Sequence, residues 1–147
     1  MSKEKSPYDL KALALPVYVP SILFALAEGS LIPVIPALAE KLGANLATAA
    51  IIVGLLMFGT LAMDLPAAKL VNRFGERRSM IAAALSAAVG MFFAVFAQNV
   101  IVLGFGVFVV GGAHAVFGLA RHGYLTETVP FSPVSYTHLR AHETEAD

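Results

Sequence analysis

Three side chains able to exchange a proton or hold a polar solute lie inside long apolar stretches of this chain: Glu28, Asp64 and His114. A carboxylate near the middle of a bilayer is costly unless it faces a cavity, and intramembrane acids usually mark a substrate or ion pathway. Glu28 therefore reads as a proton-coupling or substrate-binding group, the alternative being a structural acid paired to another helix. His114 titrates near neutral pH in water and could relay protons, although such a histidine more often hydrogen-bonds a neighbouring helix. Asp64 either pairs with Lys69 or a nearby arginine, or reaches water at the interface. Arg121 and His122 have the positions of residues that snorkel to the membrane surface or cap a helix end.

No catalytic constellation accompanies these groups. Gly104-Phe105-Gly106 lacks the third glycine and the preceding strand of a dinucleotide loop, and no phosphate-binding loop or zinc-protease helix is present. The chain has no cysteine, which removes disulfides, thiol nucleophiles and thiolate metal sites together. The sequence thus predicts neither an enzyme nor a cofactor or metal site. With ten basic and ten acidic residues the net charge is zero, so no basic excess exists to hold nucleic acid.

The elements that must position Glu28 and His114 follow from composition. Hydrophobic residues make up 58% and charged residues 14% of the 147, with a mean hydropathy of +0.76, which is too apolar for a water-exposed surface. A helix rises about 1.5 Å per residue, so roughly 20 apolar residues span the hydrocarbon core. Four stretches qualify, at about 12–39, 47–70, 80–97 and 100–120. Their short polar connections force antiparallel neighbours. Pro33 and Pro36 predict a kink or an end at the outer part of the first span. Small residues predict where helices approach closely: Ala83 with Ala87, Ser86 with Gly90, Gly111-Gly112 and Gly104-Gly106. Tryptophan is absent, so interfacial anchoring falls to tyrosine and basic residues.

Basic residues set the orientation. Lys3, Lys5 and Lys11 precede the first span, and Lys69, Arg73, Arg77 and Arg78 surround the connection between the second and third, whereas Lys41 stands alone on the other side. Residues 1–11 are therefore predicted to be cytoplasmic, in a protein integral to the cell's inner membrane. A cleaved signal peptide ending near Ala37-Leu38-Ala39 is the alternative for the first span. Its apolar stretch is too long for a signal core and contains Glu28, Pro33 and Pro36, which favours an uncleaved helix.

The stretch Asp64-Leu65-Pro66-Ala67-Ala68-Lys69-Leu70-Val71-Asn72-Arg73-Phe74-Gly75-Glu76-Arg77-Arg78 resembles the loop between the second and third helices of the major facilitator superfamily. That signature runs glycine, any residue, leucine, any residue, aspartate, arginine, any residue, glycine, then basic residues. Leu70, Arg73, Gly75, Arg77 and Arg78 match it. Ala68 replaces the glycine, Asn72 the aspartate, and Glu76 a basic residue. Glu28-Gly29 with Pro33 and Pro36 is similar to the first helix of efflux-type members, and Ala120-Arg121-His122-Gly123-Tyr124-Leu125-Thr126-Glu127 to their fourth-helix exit. Many proton-coupled exporters carry an arginine four residues before a glycine of the fourth helix, where Val107 precedes Gly111 here.

The resemblance implies an all-α membrane protein whose four antiparallel helices belong to a twelve-helix carrier, within a partial amino-terminal domain over 12–130. It implies alternating access for a small solute, with a coupling proton or ion, membrane lipid as surroundings, and the missing carboxy-terminal helices as partners. Asp64, Asn72, Arg73, Gly75, Arg77 and Arg78 would form the gating loop, in which the family's aspartate latches the two halves. Asn72 accepts hydrogen bonds but brings no charge, which predicts a weaker latch. On this reading the four helices alone do not transport. The runner-up is a small four-span membrane protein serving as an assembly factor or oligomeric channel, and a soluble helical receptor domain is third.

The tail is of another character. From Val134 to Thr144 it resembles a translated transposon-type sequencing adapter, and residues from about 133 onward read as non-native. His138 and His142, four apart with Glu143 following, mimic a metal-binding helix only within that tail.

Overall fold

A computed structural model describes residues 18–128, and within them the chain forms four helices and no strand. They are α1 (Val19–Lys41), α2 (Leu46–Phe74), α3 (Glu76–Val95) and α4 (Val100–Thr128). All four are long and apolar enough to cross a membrane. Short polar residues fix each boundary. Gly43 at φ +81° ends α1: the Ala44 N–H donates to the Ala39 carbonyl and the Gly43 N–H to that of Glu40, both at 2.9 Å. This crossed pair is the usual helix stop that a left-handed glycine permits. Asn45 caps α2, its side-chain oxygen accepting from the Thr48 N–H and hydroxyl at 2.9 Å each. Asn99 caps α4 by accepting from the N–H groups of Val102 at 2.9 Å and Ile101 at 3.1 Å.

α1 continues through Pro33 and Pro36 to Lys41, so neither proline ends the span. In lipid, losing two backbone donors costs less than exposing a whole non-helical segment, so membrane helices tolerate proline. α4 runs on past residue 120 to Thr128, because Arg121 and His122 leave the apolar layer without leaving the helix. The basic residues Lys3, Lys5 and Lys11 and the whole adapter-like tail lie outside the described residues.

The short connections make successive helices antiparallel, so α2 and α4 run parallel. α4 is the core of the bundle, with 61% of its spanning window buried against 18–22% for the other three helices. In lipid, apolar side chains gain little by meeting one another, and small residues that admit close backbone approach decide the packing. Gly59 of α2 lies against the Phe108 carbonyl and Gly111 of α4 against the Leu56 carbonyl, each so close that a Cβ would overlap the oxygen. The Thr60 hydroxyl adds a donor across this seam, 3.1 Å from the Gly111 carbonyl and equally near that of Leu56. On the other flank, a Cβ on Gly106 would fall 2.6 Å from the Gly90 carbonyl and 2.7 Å from the Ala94 nitrogen.

Of the small residues singled out in the sequence, Gly90, Gly106 and Gly111 make the close approaches and Ala83 is buried. Ser86 instead turns its hydroxyl back to the Ala82 carbonyl and stays exposed. α1 joins through Leu31, Ile35 and Ala39, which share a core with Ile52, Leu56, Leu103, Val107 and Val110. Outward, Leu26, Leu65, Phe96 and Ile101 are fully apolar and exposed, as lipid-facing residues should be.

Replacing Gly111 by Val should lower the resistance of the bundle to SDS-induced unfolding by at least about 1–3 kcal/mol, the cost of overpacking. Thr60→Val removes one interhelical hydrogen bond and should cost only about 0.6 kcal/mol. Circular dichroism during an SDS titration checks the ranking, and a larger loss for Thr60→Val would contradict the packing described.

Candidate functional site

Two places concentrate the polar groups. One is the end of the bundle where α2 turns into α3. Gly75 alone makes that turn, at φ +80° and ψ 163°, a backbone region that residues with a Cβ rarely enter. Its N–H donates to the Val71 carbonyl at 2.8 Å and its carbonyl accepts from the Ser79 N–H at 3.1 Å, so one residue closes α2 and opens α3. Glu76 occupies the first turn of α3, where a carboxylate complements the helix dipole.

The end of α4 meets this turn. A Cβ on Gly123 would lie 3.1 Å from Cγ and 3.4 Å from Oε1 of Glu76. Asn72, Arg73, Arg77 and Arg78 are exposed around it, with the Arg73 guanidinium 5.5 Å from the ring of Phe74. Asp64 is also exposed but stands on α2 roughly 15 Å along the axis from Phe74, at 1.5 Å per residue. The structure thus brings Asn72, Arg73, Gly75, Arg77 and Arg78 into one cluster and leaves Asp64 outside it. Arg121 is half-buried on α4, and its Nε has no hydrogen-bond partner among the described residues.

The second place is the seam between α1 and α4. Phe24 and Phe117 stack with centroids 4.3 Å apart and planes inclined by 1°. The half-buried His114 ring lies 6.0 Å from the Phe24 ring. Glu28 is placed by its backbone, one helical turn beyond Phe24 on α1. Neither phenylalanine stood out in the sequence, yet the spacing held the signal: Phe24 precedes Glu28 by four and Phe117 follows His114 by three, the intervals that share a helix face. Val107, at the position of the exporters' arginine, is fully buried in apolar contacts.

Two apolar grooves flank α4. One of about 350 Å³ opens between α2 and α3, with Gly59, Met63, Ala83, Gly112 and Val116 among its walls. The other, about 410 Å³, opens between α1 and α3 and has Phe24, Leu31, Ala87, Met91, Val110 and Phe117 on its walls. Among the described residues no group of three or more histidines, aspartates or glutamates is placed to hold a metal ion.

Four membrane-length helices, a glycine-hinged basic turn at one end and ionisable residues near the middle define an integral membrane protein of transporter type. The family model of the Major Facilitator Superfamily matches residues 18–134, and the chain belongs to that family. No curated protein and no solved structure matches it.

The turn makes a direct test. Gly75→Ala forces a side chain into a glycine-only region and should destabilise the bundle by about 1–3 kcal/mol. Gly123→Ala only presses on the flexible end of Glu76 and should cost clearly less. Unfolding in SDS read by circular dichroism compares them, and equal losses would contradict the backbone described at Gly75.

Proposed function

We propose that these helices are the first four of a secondary carrier that moves a small solute across the cell's inner membrane by alternating access, with the amino terminus in the cytoplasm. The observation that carries this reading is that two ionisable residues, Glu28 on α1 and His114 on α4, stand mid-helix in otherwise apolar spans. Such residues usually mark pathways, because an ionisable group at bilayer depth is costly. Membership of a transporter family points the same way.

In this reading the two helices form part of one wall of a site near the bilayer midplane. α1 buries only 18% of its spanning window, so its apolar flank is where further helices of the carrier pack. The exposed Asn72, Arg73, Arg77 and Arg78 then face the cytoplasm and form the gating loop. Asn72 offers hydrogen bonds without charge, so the latch holds the two halves less firmly than an aspartate would.

Orientation and coupling are separately testable. Because the chain has no native cysteine, a single Arg78→Cys should react with a membrane-impermeant maleimide only in inverted vesicles, and Lys41→Cys only in right-side-out cells. The opposite pattern refutes a cytoplasmic loop. In the gene read across the codons for 131–134, the frame should continue into further apolar spans. In proteoliposomes of that longer product, Glu28→Gln should reduce gradient-driven uptake at least about tenfold, equivalent to roughly 1.4 kcal/mol. Unaltered uptake removes Glu28 from the pathway.

A further inference from the structure

We infer that the groove between α2 and α3 binds one anionic phospholipid, with its phosphate held by Arg78 and Ser79 and an acyl chain laid along the groove toward Met63. The inference needs neither a transported solute nor alternating access, so it stands or falls apart from the carrier reading.

The polar end is built by the turn at Gly75. Leu70 and Phe74, one helical turn apart on α2, meet Arg78, Ser79 and Ala82 on the first turns of α3, and these five line a hollow of about 230 Å³. Ser79 is only 1% exposed, and its hydroxyl has no hydrogen-bond partner among the described residues. A helical serine commonly donates to a carbonyl one turn back, as Ser86 does to Ala82 at 2.9 Å. Ser79 does not, and a buried donor without an acceptor is costly. Its neighbour on the wall, Arg78, carries a guanidinium, and the two together suit the oxygens of a phosphate. The amino-terminal end of α3 adds the positive pole of its dipole.

The surrounding charge agrees. Lys69, Arg73 and Arg77 are exposed about the same turn. Its one acid, Glu76, packs against Gly123 of α4, and Asp64 stands roughly 15 Å along α2 from Phe74. Basic pockets of this kind between membrane helices hold anionic headgroups.

The apolar end decides the occupant. Leu70 and Ala82 also wall the groove of about 350 Å³ between α2 and α3, so the hollow opens directly into it. Further along, Met63, Ala83, Gly112 and Val116 are apolar, and the one polar side chain, Ser86, already has its acceptor. From Phe74 to Met63 the rise is roughly 16 Å, about half of the roughly 30 Å hydrocarbon core. A slot one leaflet deep, cationic at the membrane surface and apolar inward, has the polarity of a phospholipid. Inorganic phosphate would leave the slot unfilled, and an apolar helix would leave Ser79 and Arg78 without an acceptor.

The test uses the full 147-residue chain in phosphatidylcholine nanodiscs, titrated with a phosphatidylglycerol that carries a diazirine at the end of one acyl chain. After photolysis, mass spectrometry should find saturable labelling of one lipid per chain on groove residues such as Met63 or Val116. Arg78→Gln should raise the half-saturating lipid fraction at least about fivefold, the worth of one basic residue at the surface. Ser79→Ala should raise it at least about threefold, the worth of one hydrogen bond. Arg77→Gln makes the same charge change one residue away but outside the groove, where screening should hold the effect under about twofold. Ala82→Phe plugs the junction of hollow and groove and should abolish labelling at Met63. Labelling that never saturates, equal losses in Arg77→Gln and Arg78→Gln, or displacement by excess inorganic phosphate overturns the proposal. Equal labelling by a diazirine phosphatidylcholine also overturns it, and this comparison on the unaltered chain decides if circular dichroism shows that a variant has lost helix.

Discussion

Backbone contact at glycine is the constraint on which the rest of this bundle depends. Inside a bilayer the lipid solvates apolar side chains as well as other helices do, so a four-helix array has no hydrophobic drive to cohere. Gly59, Gly90, Gly106 and Gly111 supply what is missing by letting α4 approach α2 and α3 until carbonyl oxygens touch the facing backbone. Dispersion contacts accumulate over that length, and Thr60 closes a hydrogen bond to the Gly111 carbonyl at 3.1 Å. α4 becomes the core because glycine lets it approach both α2 and α3. With α4 fixed between α2 and α3, its third side is left for α1, and the height of His114 relative to α1 is set.

The two ends of the bundle are governed by a different economy, that of backbone donors and acceptors. Where the chain emerges from lipid, each helix end must satisfy its own groups. Gly43, Asn45, Gly75 and Asn99 do this with short polar residues or positive φ. The α2–α3 turn is the tightest of them. A single residue reverses the chain, so the two helices cannot slide relative to each other without changing Gly75 itself. Glu76 then rests against Gly123, tying the exit of α4 to the same turn. The turn, Glu76 and the end of α4 thus lie together, with the exposed Arg73, Arg77 and Arg78 around them.

Much of this was legible before any coordinates. Span number, the polar junctions and the glycine turn follow from runs of apolar residues interrupted at Gly43, Asn45, Gly75 and Asn99. The reach of α4 to Thr128 was not legible, because hydropathy reports the lipid layer whereas a helix continues until its backbone is capped. Helix facing was only partly legible. The spans are apolar nearly all round, so no polar stripe marks the exposed side, and the residues that approach most closely, such as Gly59, differ from Gly54 only in what lies opposite. For the candidate site, the ionisable residues stood out as misfits in apolar runs. The Phe24–Phe117 stack, which brings α1 against α4 beside His114, joins residues far apart in the chain, and no local pattern announces it.

The division of labour among the seams explains where chemistry can reside. The α2–α4 and α3–α4 seams are closed by glycine, and where backbone meets backbone no side chain fits between, although a groove of about 350 Å³ opens beside them. The α1–α4 seam is held instead by side chains: the ring stack, Leu31 and Ile35. Side chains keep the axes further apart and leave a groove of about 410 Å³ beside them. His114, mid-span on α4, lies toward α1, its ring 6.0 Å from that of Phe24. The same looseness that costs α1 its burial leaves the His114 ring packed beside a phenylalanine ring rather than against backbone, while the glycine seams hold α4 to α2 and α3.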